Sequence, residues 1–484
     1  QLVKPVLNTV FSNYELVSLD VNSVQNALKS RSVHQNLDLQ LGSKRLNLDL
    51  FEYDLLKSNY FLQLGTDQGV VKVPKDGRIK TYRITTNASQ GHMGSLTISD
   101  QFFYGFIEDN GVKYFFEPAY GFVQNAPKDL LVVYKESDVL VNAAVKCGYD
   151  ELKDNSHIAD DALGNENRSH CIAFDVALAN DYTVFLVRGN GTDAWCTGVL
   201  ANVQTNYDNE FTHSIELNVS TIFVATSTGS DPWNGINNIN AHLDTHVSWA
   251  NGGGYGGAPY GLATAWTRKY TSGAVGLAWV GTVCGNLRYN VCSDFGTGGG
   301  NLRNLQAHEM GHNFNYGHDA SGSPYIMAPS VNGSNQWSAP SITAISNFAN
   351  SRGCASGCST GGAAPVANFK ANSTVICVPT NNKVQFTDLS SGSPTSWTWT
   401  FPGGTPSSSN QQNPLITYNT RGVYDVTLRV SNSFGSDVIT FNQYIDVELK
   451  AVSAFDYFVI DRDMTTTNNS MHGDTYLWRF GDGT

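Results

Sequence analysis

The spacing of apolar and polar residues divides the chain into a strand-rich first part, a mixed middle part and a strand-rich end. Residues 45–50 alternate strictly between polar and apolar side chains, and together with further strand patterns at 94–98 and 114–116 they predict a β-rich segment over 1–150. From residue 168 strand and helix patterns alternate, which predicts an α/β domain. Short strands and turns over 364–449 predict a separate all-β module, so the fold class is multidomain.

The middle part contains the elements on which the functional argument depends. One predicted helix has a stripe of apolar residues on a single face: Ile236, Ile239, Leu243, Val247 and Ala250. The glycines at 298–300, followed by Asn301, indicate the start of another helix, which is predicted to end near Asn315. The other elements predicted here are strands at 171–176, 215–225 and 275–281 and helices at 193–209 and 341–352.

The helix that begins near Asn301 carries His308 and His312, which are four residues apart and therefore project from one face. Two imidazoles at that spacing can hold a zinc ion, and Glu309 lies beside them as a carboxylate that is not a ligand. Once the helix has ended, the chain can turn back and bring His318 to the metal as a third nitrogen ligand. Three protein ligands leave one position open, which is the coordination of a catalytic zinc.

These residues resemble the long zinc-binding signature of the metzincin peptidases, whose companion is a methionine turn downstream of the third histidine. Met327, in the stretch 325–329, has that place and is expected to form an apolar floor under the zinc ligands. His318 followed by Asp319, and the Ile-Met-Ala turn, resemble the adamalysin (reprolysin) branch. That branch has glycine where this chain has Asn315, and asparagine is the residue other than glycine that best tolerates a left-handed backbone.

The resemblance implies a metzincin-like catalytic domain over 168–358, with a twisted mixed sheet and an active-site helix. It implies one catalytic zinc with His308, His312 and His318 as ligands, and Glu309 as the catalytic general base.

The strand at 275–281 resembles the rim strand along which metzincins bind an extended peptide as a further antiparallel strand. Leu277 and Ala278 match the substrate-facing positions of that strand. Residues 328–330 would line the pocket for the side chain that follows the scissile bond. In the alternative interpretation the strand is wholly internal.

Cys147 lies in a Lys-Cys-Gly stretch just before the expected catalytic domain. That stretch resembles the cysteine switch of latent metzincin zymogens, in which a thiolate fills the open position on zinc. The resemblance implies that 1–150 is a β-rich inhibitory propeptide and that 151–167 is a linker cut by an activating protease. In the alternative interpretation Cys147 simply forms a disulfide bond.

The chain has eight cysteines, and none lies in the paired Cys-x-x-Cys clusters of a structural zinc site, so disulfides in an oxidising compartment are favoured. Cys284 with Cys292, and Cys354 with Cys358, would close short loops and are plausible pairs. Spacing alone leaves the connectivity open.

A second histidine pair, His242 and His246, also has a spacing of four, on the helix with the apolar stripe. No carboxylate directly follows the first histidine, and no third ligand is suggested nearby. We therefore interpret the pair as surface or packing histidines and not as a second metal site.

Residues 364–449 resemble the immunoglobulin-like PKD (polycystic-kidney-disease-type) domain, on the stretches Trp-Thr-Trp-Thr-Phe at 397–401 and Gly-Val-Tyr-Asp-Val-Thr-Leu at 422–428. The stretch at 476–484 resembles the middle of a second copy. We therefore interpret 450–484 as the truncated start of a second PKD-like domain. Such modules usually act as spacers or weak binders.

The composition and the ends of the sequence indicate which kinds of partner are disfavoured and in which compartment the protein is expected. A net charge of −12 and a pI near 5.3 disfavour nucleic acid and anionic membranes as partners. No run of roughly 18 apolar residues predicts a membrane span. The chain begins at Gln1 without a signal peptide, and we interpret this as an export signal already removed.

The predicted function is that of a secreted zinc endopeptidase that hydrolyses peptide bonds of proteins and is made as a latent zymogen inhibited by Cys147. Calcium is possible, but nothing in the sequence indicates it. The alternative, from a different class, is a catalytically silent adhesin or polymer-binding surface protein built on the PKD-like modules.

Overall fold

The computed structural model describes residues 3–28, 34–85, 94–109, 111–140, 145–148, 171–211, 214–357, 365–379, 382–390, 394–432, 435–460, 463–472 and 477. Residues 1–359 form one compact unit and residues 360–484 a second. The predicted linker at 151–167, Cys358 and the stretch at 478–484 lie outside the described residues. Among the described residues, no helix is long and apolar enough to cross a bilayer.

The first unit begins with the segment 1–150, called the N-terminal segment below. Its elements are α1 (Val3–Leu7), β1 (Glu15–Ser18), α2 (Val21–Ala27), β2 (His34–Leu41), β3 (Lys44–Glu52), β4 (Leu56–Thr66), β5 (Gly69–Pro74), β6 (Lys80–Thr85), β7 (Gly94–Ser99), β8 (Phe102–Asp109), β9 (Val112–Pro118), β10 (Leu130–Lys135) and β11 (Val145–Cys147). Eight of the strands form one antiparallel sheet, in the order β1-β10-β9-β8-β7-β6-β3-β2. The alternating residues 45–50 lie in β3, where all three leucines are buried, so the β-rich prediction is confirmed.

The domain that follows is called the α/β domain below. Its elements are β12 (Cys171–Asn180), α3 (Tyr182–Arg188), α4 (Thr192–Asn209), β13 (Ser214–Ala225), α5 (Ile239–Trp249), β14 (Leu262–Thr267), β15 (Gly273–Ala278), β16 (Tyr289–Ser293), α6 (Gly299–Asn313), α7 (Ala339–Asn350) and β17 (Ser356–Gly357). The predicted strands and helices are all present, with ends that differ by a few residues. The largest difference is in β12, which ends at Asn180 and not at residue 176; α5 begins three residues after Ile236, and β15 ends at Ala278 and not at residue 281.

A nine-stranded mixed sheet forms the centre of the first unit, in the order β11-β15-β16-β14-β12-β13-β4-β5, with β17 paired to β12. Strands β13, β12, β14 and β16 are parallel neighbours, and β15 is antiparallel to β16. The N-terminal segment supplies both edges, because β11 pairs with β15 and the hairpin β4–β5 pairs with β13. The sequence did not reveal this shared sheet, since pairing between strands so far apart in the chain leaves no local pattern.

The disulfide pairs expected from spacing are wrong. Cys284 is bonded to Cys354, across 70 residues. Cys292 is instead a buried thiol, because it lies inside β16 with its side chain in the main apolar core. Cys284 lies in the loop before that strand and meets the chain beyond the end of α7, so short loop length was a poor guide to the pairing.

The second unit is all-β, as predicted. Its strands are β18 (Phe369–Ala371), β19 (Val375–Val378), β20 (Lys383–Asp388), β21 (Ser396–Thr400), β22 (Gly404–Thr405), β23 (Ser408–Ser409), β24 (Leu415–Tyr418), β25 (Gly422–Asn432), β26 (Gly435–Leu449), β27 (Phe455–Ile460) and β28 (Asp463–Asn468). Two sheets, β18-β20-β24-β22 and β19-β26-β25-β21-β23, enclose a core that includes Trp399, and β27 and β28 form a separate hairpin. Trp399 belongs to the stretch 397–401 on which the resemblance to the PKD domain was based, and its buried position shows that it packs in the core.

Candidate active site and metal centre

Helix α6 places two of the predicted ligands on one face. It begins at Gly299, two residues earlier than predicted, and ends at Asn313. Asn315 has a φ of +70°, so the left-handed backbone expected at this position is confirmed. The turn is fixed by the Asn315 N–H, which donates to the His312 carbonyl at 2.8 Å.

The turn brings His318 to the two helix histidines. The ring centroids of His308, His312 and His318 lie 4.7–5.2 Å apart. One ligand atom from each histidine and the Cys147 sulfur all lie within 4.8 Å of one another. Within the described ranges this is the one group of at least three histidine, cysteine or acidic side chains placed to hold a metal ion.

Hydrogen bonds to the main chain orient two of the rings. Nδ1 of His308 lies 2.7 Å from the Ile326 oxygen, and Nδ1 of His312 lies 2.7 Å from the Tyr316 oxygen. Because a carbonyl only accepts, each Nδ1 carries the proton and each Nε2 carries the lone pair with which it could bind a metal. Burial lowers the pKa of His308 to about 3 and that of His312 well below its usual range, so both rings are neutral, as metal ligands must be.

Cys147 reaches the same point from strand β11. Its sulfur is 3.4 Å from His312 Nε2 and 3.7 Å from Glu309 Oε2, and it is not disulfide-bonded. The strand is fixed on both sides, since the Cys147 N–H donates to the Pro329 oxygen at 3.0 Å and the Gly148 N–H to the Gly276 oxygen at 2.8 Å. The interpretation of Cys147 as a disulfide partner is therefore wrong.

The four side chains fit zinc. Tetrahedral zinc with sulfur at about 2.3 Å and nitrogen at about 2.0 Å keeps these ligand atoms roughly 3.5 Å apart, close to the distance between Cys147 Sγ and His312 Nε2. His308 Nε2 is buried and has no hydrogen-bond partner among the described residues, which a bound metal would remedy. Neutral imidazoles with a thiol are a donor set that suits zinc.

Glu309 lies beside the cluster and is fully buried. Burial raises its pKa to about 8, while the Cys147 thiol acts in the opposite direction. Gly276 on β15 makes room for its carboxylate, because a Cβ at that position would lie 2.7 Å from Glu309 Cδ and closer still to Oε1. Nothing in the sequence pattern distinguished Gly276 from the other glycines.

The methionine turn is present at Tyr325–Ala328, where the Ala328 N–H donates to the Tyr325 oxygen at 3.2 Å. Met327 is fully buried beneath α6, and a Cβ on Gly311 would lie 2.5 Å from its sulfur. The side chain of Met327 therefore packs against the helix between the two helix histidines.

Asp319 is a second residue whose role the sequence did not reveal. Its N–H donates to the Met327 oxygen at 2.8 Å, and its carboxylate accepts from the Tyr316 and Ser338 hydroxyls, both at 2.9 Å. It thereby joins the turn after α6, the methionine turn and the start of α7. Its place directly after His318 was the signal that could have identified it.

The two residues expected to face substrate, Leu277 and Ala278, are both buried. Their strand β15 is not an edge strand here, because β11 lies along its outer side in parallel orientation. Residues Pro329 and Ser330 lie on the far side of β11, where Ser330 forms a bridge with Lys146. The strand that carries Cys147 therefore fills the groove between β15 and the chain after the methionine turn.

The second histidine pair has a packing role. His242 and His246 are fully buried beside Trp233, with ring centroids 5.1 and 5.8 Å from its own. Each ring contacts a tyrosine hydroxyl, that of Tyr270 at 3.3 Å and that of Tyr255 at 2.7 Å. The prediction that these two histidines have a packing role is confirmed, and the alternative that they lie on the surface is wrong.

The mixed sheet, the ligand-bearing helix, the third histidine after a tight turn and the methionine turn define a metzincin-like metallopeptidase domain. Comparison with known families agrees: residues 172–353 match the family model described as Metallo-peptidase family M12, and residues 367–443 match that of the PKD domain. No curated protein matches the chain. The protein is a zinc metalloendopeptidase with a metzincin-like peptidase domain and a C-terminal PKD domain.

Proposed function

We propose that the chain is the latent precursor of a secreted zinc endopeptidase, in which the N-terminal segment is a propeptide and Cys147 is the inhibitory ligand. His308, His312 and His318 would be the protein ligands of one zinc ion. An activating protease would cut within 151–167, and the substrates would be proteins or peptides. The Cys284–Cys354 disulfide supports an extracellular location, since such bonds persist in oxidising compartments.

A single observation carries this proposal. The Cys147 sulfur lies among the histidine nitrogens, 3.4 Å from His312 Nε2 and 3.7 Å from Glu309 Oε2. It therefore takes the place that water would need in order to contact the Glu309 carboxylate. The adhesin alternative offers no reason for a buried thiol at this point.

Bound zinc would act as a Lewis acid that activates water and polarises the scissile carbonyl. The chain's own residues would do the rest. Glu309, with its Oε1 buried and lacking a partner among the described residues, would take a proton from the attacking water and deliver it to the leaving amine. Such proton transfer is typically worth about 10²–10⁴-fold in rate.

Substrate would bind where β11 now lies. The Gly276 oxygen, which accepts from the Gly148 N–H, would then accept from a substrate amide. Main-chain pairing with β15 would tolerate many sequences, because the hydrogen bonds involve no side chains. Residues 328–330 would form the opposite wall of the groove.

The test is hydrolysis of casein by the purified full chain, before and after limited proteolysis and with or without a chelator. We expect little hydrolysis by the intact chain and chelator-sensitive hydrolysis after the cut. Cys147→Ala should raise the activity of the intact chain, whereas Cys377→Ala, a cysteine of the second unit, should not.

Glu309→Ala should retain zinc, measured by atomic emission, and lose hydrolysis. Casein cleavage at the normal rate by this variant would overturn the assignment of the base. An intact chain as active as the cut one would overturn latency, and the absence of hydrolysis under every condition would favour the adhesin.

A further inference from the structure

The helix that bears the metal-ligand histidines does not cap itself. Its N-cap residue is Gly298, which has no side chain to offer, whereas α3, α5 and α7 are capped by Asp181, Asn238 and Ser338 of their own sequence. The first amide of α6, at Gly299, instead donates to a carboxylate of the N-terminal segment, that of Glu117, at 2.7 Å. The start of this helix is thus capped from outside the α/β domain.

One turn further along α6, a buried arginine also has a carboxylate of the N-terminal segment as its partner. Arg303 is fully buried, and among the described residues its ion pair is with Glu136 of the N-terminal segment, at 2.8 Å. The guanidinium also donates to the Gly333 oxygen at 3.1 Å, but its Nε and Nη1 atoms have no partner within the described ranges. Its faces are covered by the rings of Phe106 and Phe115, at 4.9 and 5.6 Å from the ring centroids.

The backbone at the start of α6 is shaped for these two carboxylates. A Cβ on Gly299 would lie 2.7 Å from the Tyr104 hydroxyl oxygen and 3.1 Å from Glu117 Oε1, and a Cβ on Gly300 would lie 2.9 Å from Glu136 Oε1. These distances are all shorter than ordinary carbon–oxygen contacts. The glycines therefore leave open a cradle that any larger residue would close.

We propose that Gly299, Gly300 and Arg303 form a carboxylate-binding site of the peptidase domain, which the propeptide fills with Glu117 and Glu136 and which takes an acidic peptide once the propeptide has left. This inference rests on the proposed function, because the site opens only on activation. Glu136, Phe106 and Phe115 would leave together, and Arg303 would retain unused donors beside an uncapped helix end. A cation and a helix N-terminus in this state both favour an anion.

The ligand proposed is a peptide with the sequence Glu-x-Glu. In an extended peptide, side chains at positions i and i+2 lie on one face and are separated by roughly 6.6 Å, so one carboxylate can address the helix end while the other addresses the guanidinium. Adjacent glutamates would point to opposite faces and engage the site only singly.

The test uses the full-length Glu309→Ala chain, cut within 151–167 and freed of its propeptide, so that no peptide is hydrolysed. Three labelled peptides of equal length, containing Glu-x-Glu, Glu-Glu or Gln-x-Gln, are titrated by fluorescence anisotropy. We expect Glu-x-Glu to bind at least fivefold more tightly than Glu-Glu and tenfold more tightly than Gln-x-Gln. The preference should weaken between 50 and 300 mM salt, conditions that shorten the screening length roughly from 14 to 6 Å.

Arg303→Gln should abolish the preference, and Arg303→Lys, which retains the charge but not the planar fork, should reduce it. Equal binding of all three peptides would overturn the site, as would a preference that survives in Arg303→Gln. If the arginine variants do not fold, the comparison of Glu-x-Glu with Glu-Glu on the chain with native Arg303 decides the matter alone, because their net charges are equal.

Failure of the proposed function would give a different result. In that case the activated chain with native Glu309 would not hydrolyse a neutral peptide, whatever the anisotropy shows. If the neutral peptide is hydrolysed and the anisotropy is the same for all three labelled peptides, the proposed function stands and the carboxylate site fails.

Discussion

Gly276 and Glu309 are in contact across the groove, and no side chain fits at position 276. A Cβ there would lie 2.7 Å from Glu309 Cδ and 2.6 Å from a methyl group of Leu305. The glycine thus limits the positions that the carboxylate beside the three clustered histidines can occupy. This relationship makes the geometry of the proposed base depend on the strand along which substrate would bind.

Gly276→Ala should therefore displace Glu309 and lower kcat of the activated chain by about 10²-fold, the lower end of what proton transfer contributes. Zinc content should stay the same, since the three histidines are not touched. The matched control is Gly317→Ala, which lies between His312 and His318 but has open space where its Cβ would be. Unchanged kcat in Gly276→Ala would contradict the prediction.

Asn315, with a φ of +70°, should tolerate glycine and reject a β-branched residue. Asn315→Gly should leave the unfolding temperature nearly unchanged, whereas Asn315→Val should cost about 1–2 kcal/mol, because the left-handed region is strained for such a side chain. Differential scanning calorimetry of the full chain checks both. An Asn315→Val variant as stable as the parent would show that the turn does not require this backbone.

Asp319→Ala should weaken zinc binding by roughly 10–100-fold, a usual effect of losing a residue that supports a metal ligand. Oδ1 of Asp319 accepts from the hydroxyls of both Tyr316 and Ser338 next to the third histidine, and alanine removes that acceptor. Competition with a chromophoric chelator measures the affinity. Asp244→Ala, at an exposed acid on α5, is the control and should leave zinc affinity as it is.

Glu117 and Glu216 should each contribute a stabilisation that decreases as the pH rises from about 4.5 to about 7. Burial raises the pKa of both Glu117 and Glu216 from 4.5 to about 7, so between these values the folded chain holds protons that the unfolded chain has lost. The stabilisation is complete below pH 4.5, is lost as the pH passes 7, and is on the order of 3 kcal/mol for each group.

The buried histidines His246 and His308, whose pKa values burial lowers to about 3, act in the opposite direction over much of this range, so the contribution of Glu117 is measured as a difference between variants. Urea unfolding of the parent and of Glu117→Gln at a series of pH values gives that difference in unfolding free energy, which should decrease by about 3 kcal/mol from pH 4.5 to pH 7. A difference that does not change with pH would contradict the prediction.

Removing the Cys284–Cys354 disulfide should destabilise the first unit by about 4 kcal/mol, given the entropy of closing a loop of this length. The double variant Cys284→Ala/Cys354→Ala should unfold at a lower temperature than the parent. Cys377→Ala in the second unit is the control. A double variant with the parent's unfolding temperature would mean that the bond adds nothing to stability.

The candidate metal centre could be predicted from the sequence because most of it is local. His308 and His312 are one turn apart on a helix, and His318 and Met327 follow within twenty residues. The spacing alone indicates how such residues meet. Cys147 was predicted by resemblance, since no local pattern joins it to a helix that follows some 150 residues later.

What the sequence did not reveal is long-range. The pairing of β4 with β13, the Glu117 cap on α6 and the Cys284–Cys354 bond each join residues far apart in the chain. Strand patterns indicate that a strand exists but not which strand lies beside it. Similarly, a run of glycines indicates a turn, but not the carboxylates that approach the backbone there.

The N-terminal segment closes both edges of the central sheet, with β11 on β15 and the hairpin β4–β5 on β13. Departure of that segment would therefore expose two rows of unpaired amides and carbonyls at once. The row on β15 borders the histidines and could bind an extended peptide through main-chain hydrogen bonds. The row on β13 would have no such use, and two copies of the enzyme could associate through it. Maturation would therefore carry an inherent risk of self-association.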